Sequence, residues 1–241
     1  MQMIVLTERD HQIFHYLWRW KLATMATLTL RFFFAKKEGE KRADGKSAYN
    51  RMKKLEANKY VELRYDPAGK RFLWQLTWKG YTVIESELAA MREKGFKSEY
   101  PNHDLIVNAF QIGDSLFISH EHIKIFTEQQ LRRLDIEEFP SWVPKDLLHR
   151  SDGYWLLNAK GNNKCVAIEI ELKKKPGSAY QDFGTYYSRN TNIYRVMWVV
   201  RSENAALAIQ NNISKVVTTR FNIHNFVSVS YTHLTLPTKR I

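Results

Sequence analysis

Between Cys165 and Lys173 the sequence alternates strictly, so a strand there points Val166, Ile168, Ile170 and Leu172 one way and Glu169, Glu171 and Lys173 the other. Two carboxylates beside a lysine on one strand face are costly to bury unless they bind something. A divalent cation suits them: Mg²⁺ or Mn²⁺ takes one or two protein carboxylates and completes its shell with water and phosphate oxygens. Upstream, Asp152 stands at a turn before a predicted strand, and Glu128 is a further acidic candidate. The plain alternatives are a solvated edge-strand face for Glu169, Glu171 and Lys173, a turn residue for Asp152 and a helix-start residue for Glu128. His103, His120, His122 and His149 are scattered without HExxH spacing and read as structural or surface residues. Cys165 is the single cysteine, which excludes an internal disulfide framework and a cysteine-cluster metal site. Neither GxxxxGK[ST] nor GxGxxG occurs, which argues against nucleotide hydrolysis and dinucleotide binding.

The elements that would position these residues follow a mixed α/β order from His103 onward. A helix is predicted over 103–110, a strand over 122–127 and a short helix or turn over 128–134. Strands follow at 154–158 and 165–173, then a helix over 179–189, a buried strand over 194–200, and a helix from Glu203 capped by Ser202.

The first hundred residues have a different grammar. Thr7 is placed to cap a first helix carrying Ile13, Phe14, Leu17 and Trp18. A second helix begins near Thr24. A charged stretch over 35–46 leads to a third helix over 47–58, with Ala48, Met52 and Leu55 inward and Asn50, Arg51, Lys53 and Lys54 outward. Two strands, 60–65 and 71–76, flank an Asp-Pro-Ala-Gly turn, and a last helix begins around Lys79-Gly80. Helix, helix, helix, hairpin, helix is the order of a winged helix-turn-helix. The third helix fits a major groove, with Lys46, Asn50, Arg51, Lys53 and Lys54 available to phosphates and base edges. Arg64, Lys70 and Arg71 at the hairpin would touch an adjacent backbone. The alternative is a protein-interaction module with a solvated basic face.

Charge supports a polyanionic partner. The 241 residues carry 37 Lys+Arg against 25 Asp+Glu, a net +12. The first hundred residues hold 20 of the bases and 12 of the acids. A hydrophobic content of 44% excludes wholesale disorder. No run has the ~20 apolar residues of a membrane span, and the N-terminus lacks a signal-peptide core, so the expectation is a cytoplasmic protein without a membrane partner. The polar, Gly- and Pro-containing stretch over 95–102 reads as a linker between a DNA-binding domain over 1–94 and a second domain over 103–229.

Two resemblances sharpen these expectations. Asp152, followed by Glu171-Leu172-Lys173, resembles the PD-(D/E)xK signature of restriction-endonuclease-like nucleases, with Ser151 where proline usually stands. It implies that Asp152 and Glu171 hold the metal, with Glu169 as a second ligand or a substitute for Glu171. Lys173 would position the attacking water or neutralise the phosphorane, and Gln181 would orient the cut strand. The two halves together resemble the plasmid replication-relaxation family. That likeness is carried by Leu76-Thr77-Trp78-Lys79-Gly80, His103 to Asn108, Thr127-Glu128, Arg150 to Tyr154, Ile168 to Leu172 and Tyr180.

The family resemblance implies an α+β chain: an N-terminal winged helix-turn-helix followed by an α/β restriction-endonuclease-like domain. It implies action on plasmid or other mobile-element DNA, in replication, relaxation or mobilisation, with double-stranded DNA and a replication or relaxase protein as partners. Two alternatives stay open: a non-catalytic regulator whose second domain serves dimerisation or partner binding, and a defence or transposition endonuclease of the same fold. Homodimerisation is also open. Residues 230–241 resemble translated sequencing-adapter DNA and are expected to be a non-native tail, the alternative being a genuine final strand.

Overall fold

A computed structural model describes residues 4–33, 45–67, 70–112, 123–146, 148–159 and 162–228. These fall into two compact units, 4–112 and 123–228. The charged stretch after Phe33, the tip of the first hairpin and residues 230–241 lie outside the described residues.

In the first unit, α1 (Glu8–Trp20) starts where Thr7 and Asp10 close on each other: the Asp10 carboxylate accepts from the Thr7 amide at 2.7 Å and its hydroxyl at 2.8 Å. This satisfies a donor that a helix start otherwise leaves orphaned. Thr24 caps α2 (Met25–Phe32) by accepting from the Thr27 amide. On α3 (Gly45–Ala57), Ala48, Met52 and Leu55 recur at helical spacing and are fully buried. Burying a side chain such as Leu55 contributes about 1.5–3 kcal/mol. β1 (Val61–Asp66) and β2 (Arg71–Leu76) pair antiparallel, Val61 opposite Leu76 and Asp66 opposite Arg71. Ala23 adds an isolated bridge to Trp74 on the other edge of β2. α4 (Trp78–Ile84) is capped by Thr77, and Gly80 is required there: a Cβ would stand 2.0 Å from the Tyr60 carbonyl oxygen.

The stretch expected as a linker, 95–102, and the helix expected to open the second domain both pack in the first unit. Phe96 is buried and stacks on Tyr81 at 5.3 Å. The Ser98 carbonyl accepts from Arg64. On α5 (Pro101–Ile112), Asp104 pairs with Lys21 at 3.0 Å, and Asn108 donates to the carbonyls of Trp20 and Leu22. These polar residues punctuate the sequence like a linker, but their side chains serve as tethers.

The second unit is a five-stranded mixed sheet in the order β3-β4-β5-β6-β7. β3 (Ile123–Thr127), β4 (Gly153–Ala159) and β5 (Asn162–Glu171) form an antiparallel meander. α6 (Glu128–Arg133) follows β3 directly. β6 (Ile193–Val200) and β7 (His224–Ser228) join in parallel, reached through α7 (Gly177–Arg189) and α8 (Glu203–Ile213). The near-continuous apolar run of β6 suits a strand covered on both faces. Gly184 lets α7 approach α8, since a Cβ would meet Ile213 and Val217 at 3.0 Å. The chain is therefore mixed α and β. No described helix is long and apolar enough to cross a membrane.

Candidate functional site

Glu169 and Glu171 share one face of β5 as alternation requires, and both are buried, at 5% and 7% exposure. The face is not a solvated edge. Asp152 immediately precedes β4 and is clamped to β5: its amide donates to the Ile168 carbonyl at 3.0 Å, and its carboxylate accepts from the Ile170 amide at 2.6 Å. The antiparallel register that sets Gly153 opposite Ile168 thus brings the Asp152 carboxyl to the strand that carries both glutamates.

Each glutamate has partners. Glu169 Oε1 accepts from His149 Nε2 at 2.6 Å and from the Tyr187 hydroxyl, which lies 3.2 Å from Ser151 Oγ. Burial and the Glu169 charge keep Tyr187 protonated well above the usual phenol range, so it stays a donor. Burial disfavours the His149 cation, but the Glu169 carboxylate outweighs it and raises the imidazole pKa. His149 also sits against Phe183, with ring centroids 4.3 Å apart. Glu171 accepts from Lys175 Nζ at 2.8 Å. Burial raises the Glu171 pKa; Lys175 opposes this, while the nearby charges of Glu169 and Asp152 add to it. Burial opposes the Lys175 charge, but Glu171 holds its pKa up, with Glu169 and Asp152 contributing.

β5 ends at Glu171, and Lys173 lies two residues beyond it, exposed like Lys175; the lysine that pairs with a site carboxylate is Lys175. The chain turns, the Lys175 amide donates to the Tyr180 hydroxyl at 2.9 Å, and the Lys175 ammonium returns over the Phe183 ring to Glu171. Gln181 is half-exposed and lies about 100° around α7 from Tyr180. Tyr180 and Tyr187, two turns apart, hold the face that meets the cluster. Glu128 is the first residue of α6, next to the cap Thr127, which is its helix-start role. His149, Tyr187 and Lys175 were not among the sequence-derived site residues. The spacing Tyr180, Gly184, Tyr187 on one helical face was the available signal for the tyrosines.

On the first unit, the candidate DNA contacts divide by occupation. Arg51 donates to the fully buried Asp10 carboxylate and to the Val5 carbonyl. Arg64 is bonded to Ser98, and Arg71 to Asp66 and Asn102. These three arginines join segments of the fold. Lys53 pairs with Glu56. Lys46, Asn50, Lys53 and Lys54 are exposed on α3 beside Tyr49, itself 51% exposed, and Lys70 is exposed at the hairpin. Two exposed hairpin aromatics that the sequence reading passed over, Tyr65 and Phe72, face each other at 5.1 Å.

Comparison with protein families, with curated proteins and with solved structures finds no match for this chain.

Proposed function

We propose that the chain binds double-stranded DNA of a plasmid or other mobile element and acts in its replication, relaxation or mobilisation. On this reading the first unit is a winged helix-turn-helix that holds the duplex, and the second is a PD-(D/E)xK-like unit that nicks or cuts it with a divalent metal. The observation that carries the hydrolytic part is the gathering of acids where β4 starts and β5 ends: the Asp152 carboxylate accepts from the Ile170 amide at 2.6 Å, between Glu169 and Glu171, and Lys175 pairs with Glu171 at 2.8 Å. Exposed Lys46, Asn50, Lys54 and Tyr49 on α3 support the binding part, because cations interleaved with polar and aromatic side chains suit phosphates and base edges.

Among the described residues no three His, Cys, Asp or Glu side chains are grouped to hold a metal. On this reading Asp152 and Glu171 would hold a hydrated Mg²⁺ or Mn²⁺, a hard cation suited to one or two carboxylates. Such an ion would supply an acidified water and charge neutralisation at the scissile phosphate. Lys175, paired with Glu171, takes the role first expected of Lys173 and would face the scissile phosphate. Glu169 is a positioning residue, held by His149 and Tyr187, rather than a metal ligand.

A second reading is favoured by those same contacts. Because His149 and Tyr187 satisfy Glu169, and Lys175 satisfies Glu171, the junction is also consistent with a nuclease-like unit kept for partner binding or dimerisation. Incubating supercoiled plasmid with the protein and Mg²⁺ or Mn²⁺ separates the two. Nicking that disappears in Asp152→Ala supports the first reading. DNA that is shifted in a gel but uncut under both metals supports the second.

A further inference from the structure

The end of β5 away from the carboxylates borders an open cavity of about 490 Å³, lined by Asn163, Lys164, Tyr194, Arg195, Arg220 and Asn222 among others. Three basic side chains and no acidic one line it. Like charges gathered without a carboxylate repel one another, and an anion relieves that cost. Arg220 supplies charge while its donors are spent on the fold: it binds the carbonyls of Tyr187, Asn190 and Ile193. Arg195 is oriented by the Asn222 carbonyl at 3.2 Å and Asn225 Oδ1 at 3.3 Å. Lys164 Nζ stands 4.2 Å from the Tyr194 ring centre, and the Arg195 guanidinium 5.2 Å from it. The two cations depress the Tyr194 phenol below its usual range, so its hydroxyl is a strengthened donor, and the ring is 43% exposed. A hard oxyanion matches two cations, a phenol and side-chain amides.

We infer that this hollow is a second nucleic-acid contact, in which Lys164, Tyr194 and Arg195 take a backbone phosphodiester. A polymer rather than a free ion is favoured by the half-exposed aromatic ring, which offers a surface for sugar or base beside the phosphate, and by the net charge of the chain. From Lys164 at the hollow to Glu171 is seven steps along β5. At about 3.3 Å per step that is roughly 23 Å, about seven steps of a duplex backbone. The contact stands independently of whether the acidic end hydrolyses anything.

The test is binding of the full-length protein to a short labelled duplex over a series of salt concentrations. Each phosphate contact removed lowers the slope of log affinity against log salt by about one. Lys164→Ala is expected to weaken binding several-fold and lower the slope by about one. Lys215→Ala removes the same charge elsewhere in the second unit and is expected to leave the slope unchanged. Circular dichroism melts verify that both variants fold. An unchanged slope in Lys164→Ala, or an equal fall in both variants, overturns the assignment. Calorimetric titration with inorganic phosphate is the second arm: saturable binding lost in Lys164→Ala while the DNA slope stays put identifies a free-phosphate site instead and also overturns it. Loss of nicking in Asp152→Ala tests the hydrolytic reading and the salt slope of Lys164→Ala tests this contact, so the two proposals fail separately.

Discussion

Arg51 shows how a residue type can be legible while its employment is not. On a helical wheel it belongs to the outward basic face of α3, but its guanidinium reaches back to Asp10, the residue that closes the cap of α1. Removing one partner of a buried pair leaves a charge unsatisfied and costs about 3–5 kcal/mol; the partial exposure of Arg51 places this case at about 2–3 kcal/mol. Arg51→Ala should therefore lower the urea midpoint by that equivalent, whereas Lys54→Ala should weaken DNA binding with no change in the midpoint. Equal stability of the two variants would contradict the assignment. His224 offers a pH-dependent counterpart. Burial, with the Arg220 charge nearby, pushes its pKa down to about 4, while its Nδ1 accepts from the Trp198 indole at 3.0 Å. The unfolded chain, with histidine near 6.5, binds the proton more readily. The associated stability is thus complete above pH 6.5 and is lost progressively as pH falls toward 4. Denaturant midpoints measured over that range should fall for the wild type and flatten for His224→Asn, which keeps an acceptor without the titration. Parallel curves would refute the neutral buried histidine.

At the scale of elements, helix and strand positions follow from periodicity and capping residues. Thr7, Thr24, Thr77 and Ser202 each precede a helix as their types suggest, and the alternation of Cys165 to Glu171 is a strand. What periodicity leaves out is where an element stops. The apolar Leu172 extends the alternating pattern past the point where the ladder ends at Glu171. β7 was missed because His224-Asn225-Phe226-Val227-Ser228 is half polar, and its pairing with β6 is made across an intervening helix. The junction between the first hairpin and α4 is a place where local sequence was informative: Gly80 after Leu76-Thr77 marks a close backbone approach. Gly80→Ala would drive a Cβ into the Tyr60 carbonyl, and overpacking against backbone costs about 1–3 kcal/mol. A thermal melt should show a clear fall; an unaltered melting temperature would mean that the helix start shifts without cost.

For the whole molecule, the two-part organisation was readable from composition, but the position of the division was not. Gly95 and Pro101 punctuate the sequence like a linker, and only Phe96 on Tyr81, Lys21 with Asp104 and Asn108 on two α1-end carbonyls reveal that α5 closes the first unit. Long-range partners of this kind leave no local signature. The candidate site followed the same pattern. Its carboxylates were legible from alternation and the preceding turn, whereas Lys175, His149 and Tyr187 reach it through a turn, a loop and a helix whose return geometry the sequence does not state. The central claim is that the end of β5 and the turn after it form a reacting site in which Lys175 is the working cation. The most direct measurement is the rate of Mg²⁺-dependent nicking of supercoiled plasmid by wild type, Lys175→Ala and Lys173→Ala. The account predicts a loss of at least about tenfold in Lys175→Ala, equivalent to ~1.4 kcal/mol of transition-state stabilisation, with Lys173→Ala near wild type. Nicking that survives Lys175→Ala and vanishes in Lys173→Ala, or a wild type that never nicks, would contradict it.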